Sequence, residues 1–288
     1  MDIRVTLAAT GPIPASLLAC IPDAISTTVD ETVYGQRINV YARHDEPDAL
    51  RQALRAVAGD VAVGVLTRPL AAQPARLLLM DVDSTLTTTE AIDLLAEHAG
   101  VGEKVAEITE RAMRGELDFG PSLTERVATL AGLPVSIFED VGARMTLSPG
   151  GEELIRAARA AGAKVGVTSG GFSQLVGPLA ERLGLDFYNA NQLETVTDGG
   201  VERLTGRVTG TVVDRDQKAR DLLRFAHEHK VDAGLTVAVG DGANDLGMFD
   251  AAGLSVAYCA KPVTAAAADV SIPFPRLDAV AAFAFNAG

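Results

Sequence analysis

The chain has 288 residues, 48% of them hydrophobic, which is enough to bury the core of one large domain and a small one. Its formal net charge of −13 argues against nucleic-acid or anionic-membrane partners, both of which select for basic surfaces. No run approaches the roughly 18 consecutive apolar residues of a membrane helix, so a cytoplasmic location is expected.

The first 70 residues read as a small α/β unit. Ile3–Leu7 is a strand candidate, Ala15–Ala24 is helix-like, and residues 25–33 and 36–43 are strands around a turn at Tyr34-Gly35. Asp48–Ala58 has helical spacing at Leu50, Leu54 and Val57, and Val61–Leu66 is a closing strand. The order βαββαβ is that of a ferredoxin-like sandwich. Cys20 and Cys259 sit in no metal or redox spacing and read as reduced thiols. Leu17-Leu18-Ala19-Cys20 looks like the end of a lipoprotein signal. However, only Arg4 before it is basic, and Pro12 and Pro14 interrupt the apolar stretch. Residues 71–76 read as a linker, with Ala71-Ala72-Gln73-Pro74 at its start.

Beyond the linker the pattern changes. Leu77–Met80, Lys164–Thr168 and Leu235–Val239 are apolar runs of the kind that forms strands buried on both faces, and helical patterns lie between them. This predicts a doubly wound parallel α/β sheet over residues 77–288. A helix-rich insert, about residues 90–147, follows the first run, with helices expected over Ala91–His98, Val101–Met113 and Pro121–Leu130. It is placed to act as a cap. A second insert, about Phe187 to Val213, reads as a β-hairpin flap with turns at Asp198-Gly199-Gly200 and Gly206.

Each apolar run leads into a polar segment, and ligands of such sheets bind beyond the carboxyl ends of the strands. Asp81-Val82-Asp83-Ser84-Thr85 offers one carboxylate to attack phosphorus and another to move protons. Ser169-Gly170-Gly171 brings a hydroxyl and backbone N–H groups suited to phosphate oxygens. Gly240-Asp241-Gly242-Ala243-Asn244-Asp245 is a hard-oxygen turn suited to Mg²⁺. Lys218 starts the helical stretch Ala219–His227 upstream of that turn. Taken singly, these features also fit ordinary strand-end turns and a solvated lysine. Their joint order, each motif ending a strand, points to one site.

That order resembles the haloacid dehalogenase superfamily of phosphatases. The resemblance covers about residues 75–288, and within the superfamily it is to the phosphoserine phosphatases. It rests on DVDSTLTTTEAID, the insert ITERAMRGELDFGPSLTERVATLAGLP, SGGF and VGDGANDLGMFDAAGLSVAYCAKP, with the Phe119-to-Arg126 spacing the most family-specific element. Val82 departs from the bulkier Met or Phe often found between the two aspartates.

The resemblance implies a Mg²⁺-dependent hydrolase that passes through a phospho-aspartate and closes serine biosynthesis. Asp81 would be the nucleophile and Asp83 the acid and base. Asp81, the backbone carbonyl of Asp83, and Asp241 would hold Mg²⁺. Lys218 and Ser169 would stabilise the phosphoryl oxygens, and Asp245 would support Lys218 or the metal-bound water. Glu90 and Arg126 would bind the amino and carboxylate groups of phosphoserine, Phe119 would close the cap, and Gly170 and Asn244 would add contacts. Another small-molecule phosphatase or phosphotransferase of the superfamily, and a serine-binding regulator without turnover, are the alternatives. The N-terminal unit resembles an ACT domain in element order alone, which leaves room for a homodimer and for an amino-acid effector.

Overall fold

The computed structural model describes residues 1–114 and 116–285. Its N-terminal unit holds β1 (Asp2–Ala9), α1 (Ala15–Leu18), β2 (Ala24–Thr32), β3 (Gly35–Arg43), α2 (Pro47–Val57) and β4 (Ala62–Leu66). The strands form an antiparallel sheet in the order β2-β3-β1-β4. Alternate residues of β1 and β3, including Ile3, Val5, Leu7, Ile38 and Val40, form one apolar cluster with Leu17 of α1 and Leu50 and Leu54 of α2. Helix α1 is far shorter than Ala15–Ala24. Cys20 N–H and Ile21 N–H bond three residues back, to Leu17 and Leu18, and Pro22 has no N–H with which to continue a helix.

The larger unit begins at β5 (Leu77–Met80) and continues through α3 (Ala91–His98), α4 (Gly102–Met113), α5 (Phe119–Ala128), α6 (Ile137–Arg144) and α7 (Gly151–Ala160). Then follow β6 (Lys164–Phe172), α8 (Ser173–Leu183), the hairpin β7 (Phe187–Asp198) and β8 (Val201–Thr209), and α9 (Arg215–Glu228). The chain closes with β9 (Thr236–Gly240), α10 (Leu246–Ala251), β10 (Leu254–Tyr258), α11 (Pro262–Ala267), β11 (Val270–Ile272) and α12 (Val280–Ala284). The sheet order is β11-β10-β9-β5-β6-β7-β8, parallel except for the β7–β8 hairpin. Leu78 and Met80 of β5 point into one apolar cluster, and Leu77 and Leu79 into another on the opposite face. That explains the unbroken apolar run.

Three features depart from the sequence expectation. Helix α6 lies within the insert, beyond the three helices that the sequence pattern predicts there. Strand β6 runs on through Ser169-Gly170-Gly171 to Phe172, because β7 pairs with it on both sides of a bulge. Gly206 lies inside β8 rather than at a turn. The flap is also strapped to the cap. Gly132 and Leu133 exchange backbone hydrogen bonds with Leu204, and Val135 N–H bonds the Glu202 carbonyl.

The two units share a core. Ala8, Tyr34, Ala62 and Leu66 belong to the main apolar cluster of the larger unit. A Cβ at Gly64 of β4 would lie 2.6 Å from the Phe283 ring, so glycine there allows the sheet to sit flat on α12. Arg4, fully buried, donates to the Leu70 carbonyl at 3.1 Å and the Phe283 carbonyl at 2.8 Å. Among the described residues, no helix is long and apolar enough to cross a membrane.

Candidate active site

Strand register levels the three motifs. Met80 of β5 stands opposite Val239 of β9 on one side and Val167 of β6 on the other. The residues that follow, Asp81, Gly240-Asp241 and Thr168-Ser169, therefore lie at the same height. Asp81, Asp241 and Gly170-Gly171 border a cavity of about 710 Å³ that residues of the cap also line. Asp81, Asp83, Glu90, Phe119, Arg126, Gly170, Asp241 and Asn244 all line it. Ser169, Lys218 and Asp245 lie fully buried beneath.

The floor is densely bonded. The chain after β5 turns sharply through Val82–Leu86, with Ser84 at a left-handed φ of 56°. Asp81 stays at the strand end, its N–H bonded to the Val239 carbonyl at 2.9 Å, and its Oδ1 accepts from Val82 N–H at 2.7 Å. Asp214 caps α9 by accepting from Gln217 N–H at 2.8 Å, which sets Lys218 in the opening turns of the helix. Lys218 Nζ reaches Asp81 Oδ1 at 2.8 Å and Asp245 Oδ1 at 2.7 Å. The other Asp245 oxygen accepts from the N–H groups of Asp241 and Gly242, each at 3.0 Å. Asp83 Oδ1 accepts from Ala91 N–H at 2.9 Å, which ties the catalytic turn to the start of α3. A Cβ at Gly171 would lie 2.9 Å from Asp83 Oδ2 and 3.0 Å from Ser169 Oγ, so glycine lets both groups approach the strand.

Charge is concentrated here. Burial, with Asp245 adding, pushes Asp81 well above the carboxylate range, against the pull of Lys218. Burial and then Glu90 raise Asp83 to about 7, and burial and then Asp245 raise Asp241 to about 6. Burial opposes the charge on Lys218, but Asp245 and Asp81 outweigh it and raise its pKa. Oxygens of Asp81, Asp241 and Asp245 lie within 4.8 Å of one another, so three carboxylates face one ammonium. An all-oxygen, charge-excess set of this kind fits a hard divalent cation.

The cap end is looser. Glu90 is exposed and takes one hydrogen bond, from Ser84 Oγ at 2.7 Å. Arg126 is half-buried, and its Nε donates to the Ser122 carbonyl at 3.3 Å. Burial lowers the Arg126 pKa, with Asp93 and Glu90 opposing. A Cβ at Gly170 would come 3.2 Å from the Phe119 ring, so the cap closes down onto β6.

A haloacid dehalogenase-like hydrolase profile matches residues 78–250, more than half of the chain. The chain belongs to that family. The phosphatases of this hydrolase family need a divalent metal, which the aspartate cluster fits. A phosphoserine phosphatase of Streptomyces coelicolor is 53% identical over 237 residues, 82% of this chain, and the chain spans 57% of that protein's length. A solved phospho-aspartyl intermediate analogue of phosphoserine phosphatase is 42% identical at a TM-score of 0.66, matching 72% of this chain and 98% of its own. A hydrolase of the family from Salmonella enterica shares the fold across 98% of both chains, at a TM-score of 0.85 and 24% identity.

Several site residues escaped the sequence reading. Ser84 and Thr85 sit inside the first motif; Thr85 Oγ1 donates to Asp241 Oδ1 at 3.3 Å. Ser122 lines the cavity three residues after Phe119, a helical spacing that could have been noticed. Asn191 and Asp221 had no local signal. Buried Asn191 donates to the Gly170 carbonyl and accepts from Val213 N–H, both at 2.8 Å. Buried Asp221 accepts from Thr168 Oγ1 and Asn189 Nδ2, both at 2.7 Å, and so joins α9 to β6 and β7.

Proposed function

We propose that this chain is a magnesium-dependent phosphoserine phosphatase that works through a phospho-aspartate on Asp81. The observation that carries the proposal is one cavity with Asp81 and Asp83 on its floor and Glu90 and Arg126 on its cap side. That pairing fits an ester with phosphate at one end and an amino acid at the other. The relatives named for phosphoserine support the same substrate.

In this reading a carboxylate oxygen of Asp81 attacks phosphorus, and the phosphorus–serine oxygen bond breaks. Asp83, held near neutral pKa, gives its proton to the departing oxygen and so releases serine. It then takes a proton from water as that water attacks the acyl phosphate, freeing phosphate and restoring Asp81. Lys218, fixed by Asp81 and Asp245, and Ser169 balance charge on the phosphoryl oxygens. Asp81, Asp241 and the Asp83 backbone carbonyl would hold Mg²⁺, beside Asp245; when bound, it neutralises the carboxylates so that a phosphate anion can approach. Glu90 receives the ammonium, Arg126 the carboxylate, Phe119 closes over them, and Gly170 and Asn244 add contacts.

The β2-β3-β1-β4 sheet order supports an ACT-like reading of residues 1–70, with an amino-acid effector or a second copy of the chain as its partner. The catalytic reading is tested by quenching turnover of radiolabelled phosphoserine. It expects an acid-labile, hydroxylamine-sensitive label on Asp81. A hydroxylamine-resistant label on a serine, or turnover with no label at all, would refute it.

A further inference from the structure

Ser122 on α5 is only 2% exposed, and its hydroxyl has no hydrogen-bond partner among the described residues. Yet the residue lines the cavity, one helical turn before Arg126. A helical serine or threonine usually has a local acceptor in the carbonyl of the preceding turn. Thr124 uses it, donating to the Gly120 carbonyl at 2.9 Å, and Thr129 does likewise to the Arg126 carbonyl at 2.6 Å. Ser122 does not. A buried hydroxyl left unsatisfied weakens the folded protein, so its retention in a cavity wall calls for a partner that arrives with the ligand.

The neighbours indicate which ligand group that is. Phe119, Ser122 and Arg126 share one face of α5 and all line the cavity. Arg126 Nε is bonded to the Ser122 carbonyl, which draws the guanidinium alongside that serine. A guanidinium offers only donors, and a carboxylate has about four acceptor sites, enough for a bidentate arginine and one hydroxyl. Glu90 and Asp93, which line the same cavity and act electrostatically on Arg126, already offer acceptors to an ammonium.

We propose that Ser122 is a specificity-determining residue whose hydroxyl donates to the substrate carboxylate beside Arg126. This rests on the phosphoserine reading above and adds a second donor to that subsite.

The test compares the kcat/KM of Ser122→Ala, Ser122→Cys and Arg126→Ala on phosphoserine and on phosphoethanolamine, which keeps the ammonium and lacks the carboxylate. Ser122→Cys holds the volume nearly constant, so it separates the hydrogen bond from packing. A hydrogen bond to a charged group predicts that both Ser122 variants lower the phosphoserine-to-phosphoethanolamine ratio by roughly tenfold or more. The loss should fall mainly on KM. The Tm of ligand-free Ser122→Ala should hold or rise, because the unsatisfied hydroxyl has been removed. An unchanged ratio, or a lowered Tm with unchanged kinetics, overturns the proposal. Equal losses on both substrates overturn it too and would assign the hydroxyl to the ammonium or the phosphate. Arg126→Ala separates the two levels. If it also leaves the ratio unchanged, the carboxylate subsite itself is wrong; if it lowers the ratio and the Ser122 variants do not, only the assignment of Ser122 fails.

Discussion

At the floor of the cavity Lys218 and Asp245 are fully buried and bonded to each other. At the cap Glu90 is exposed, Arg126 is half-buried and the Ser122 hydroxyl has no hydrogen-bond partner among the described residues. The floor is anchored to strand ends held in register by β5, β6 and β9. The cap groups sit on or beside short helices. The difference matches the two halves of the proposed substrate. A phosphoryl group undergoes the chemistry, so its surroundings are fixed in advance and need little reorganisation. The amino-acid half only has to be recognised, and its groups are left to be satisfied by the ligand. Floor changes should then abolish turnover on every ester, and cap changes should alter the choice among esters.

The largest effect should come from the floor. Asp81→Asn keeps size and shape but removes the nucleophile, so turnover should drop to background with the circular dichroism spectrum unchanged. Asp83→Asn should cost about 10²–10⁴-fold in kcat, the usual worth of acid–base catalysis. The Asp81→Asn loss should be the same for phosphoserine and an aryl phosphate, whereas Asp83→Asn should cost less in kcat/KM on the aryl ester, whose phenolate needs little help from a proton to leave. An Asp81→Asn loss confined to phosphoserine would break the division between floor and cap.

Chelation comes next. EDTA should abolish phosphate release and Mg²⁺ should restore it. Ca²⁺ should not, because its larger radius and higher coordination number suit this compact carboxylate set poorly. Full activity after exhaustive chelation would contradict the reading of the Asp81, Asp241 and Asp245 cluster.

At the cap, removing one partner of a desolvated charge pair typically costs about 2–5 kcal/mol, so Arg126→Ala should lower kcat/KM for phosphoserine by roughly 30-fold or more. The same variant should matter far less for an aryl phosphate. Glu90→Gln should narrow the preference for phosphoserine over phosphoglycolate. Equal losses on all esters would make both residues structural parts of the cap.

The smallest effect on chemistry should follow deletion of residues 1–74, which removes none of the proposed catalytic groups. It does uncover Phe283 and Val270, which pack against β4, and takes Arg4 from the Phe283 carbonyl. A lower Tm with kcat nearly preserved is expected. A well-folded truncated chain without turnover would give the N-terminal sheet a part in the site.

Much of this was legible before the structure. Leu77–Met80 announced itself because a strand buried on both faces must be apolar throughout, and the charged motif at its end had to face a crevice. The cap residues Glu90 and Arg126 were found through family spacing and not through their own chemistry, since each resembles an ordinary helix-surface charge. The rest was hidden for physical reasons. The bonds strapping Leu204 and Glu202 of the flap to the cap run backbone to backbone and leave no mark on side-chain type. Asn191 and Asp221 act across the fold, far in sequence from what they hold. Arg4 reads as a surface residue until β4 and α12 enclose it.

The most direct measurement compares the unmodified protein's kcat/KM for three esters: phosphoserine, phosphoethanolamine without the carboxylate, and phosphoglycolate without the ammonium. If Glu90 and Arg126 each recognise one charge, phosphoserine should exceed each of the others by roughly 30-fold or more, the worth of one desolvated charge contact. Comparable values for all three would contradict the account and leave the chain a general phosphatase of its family.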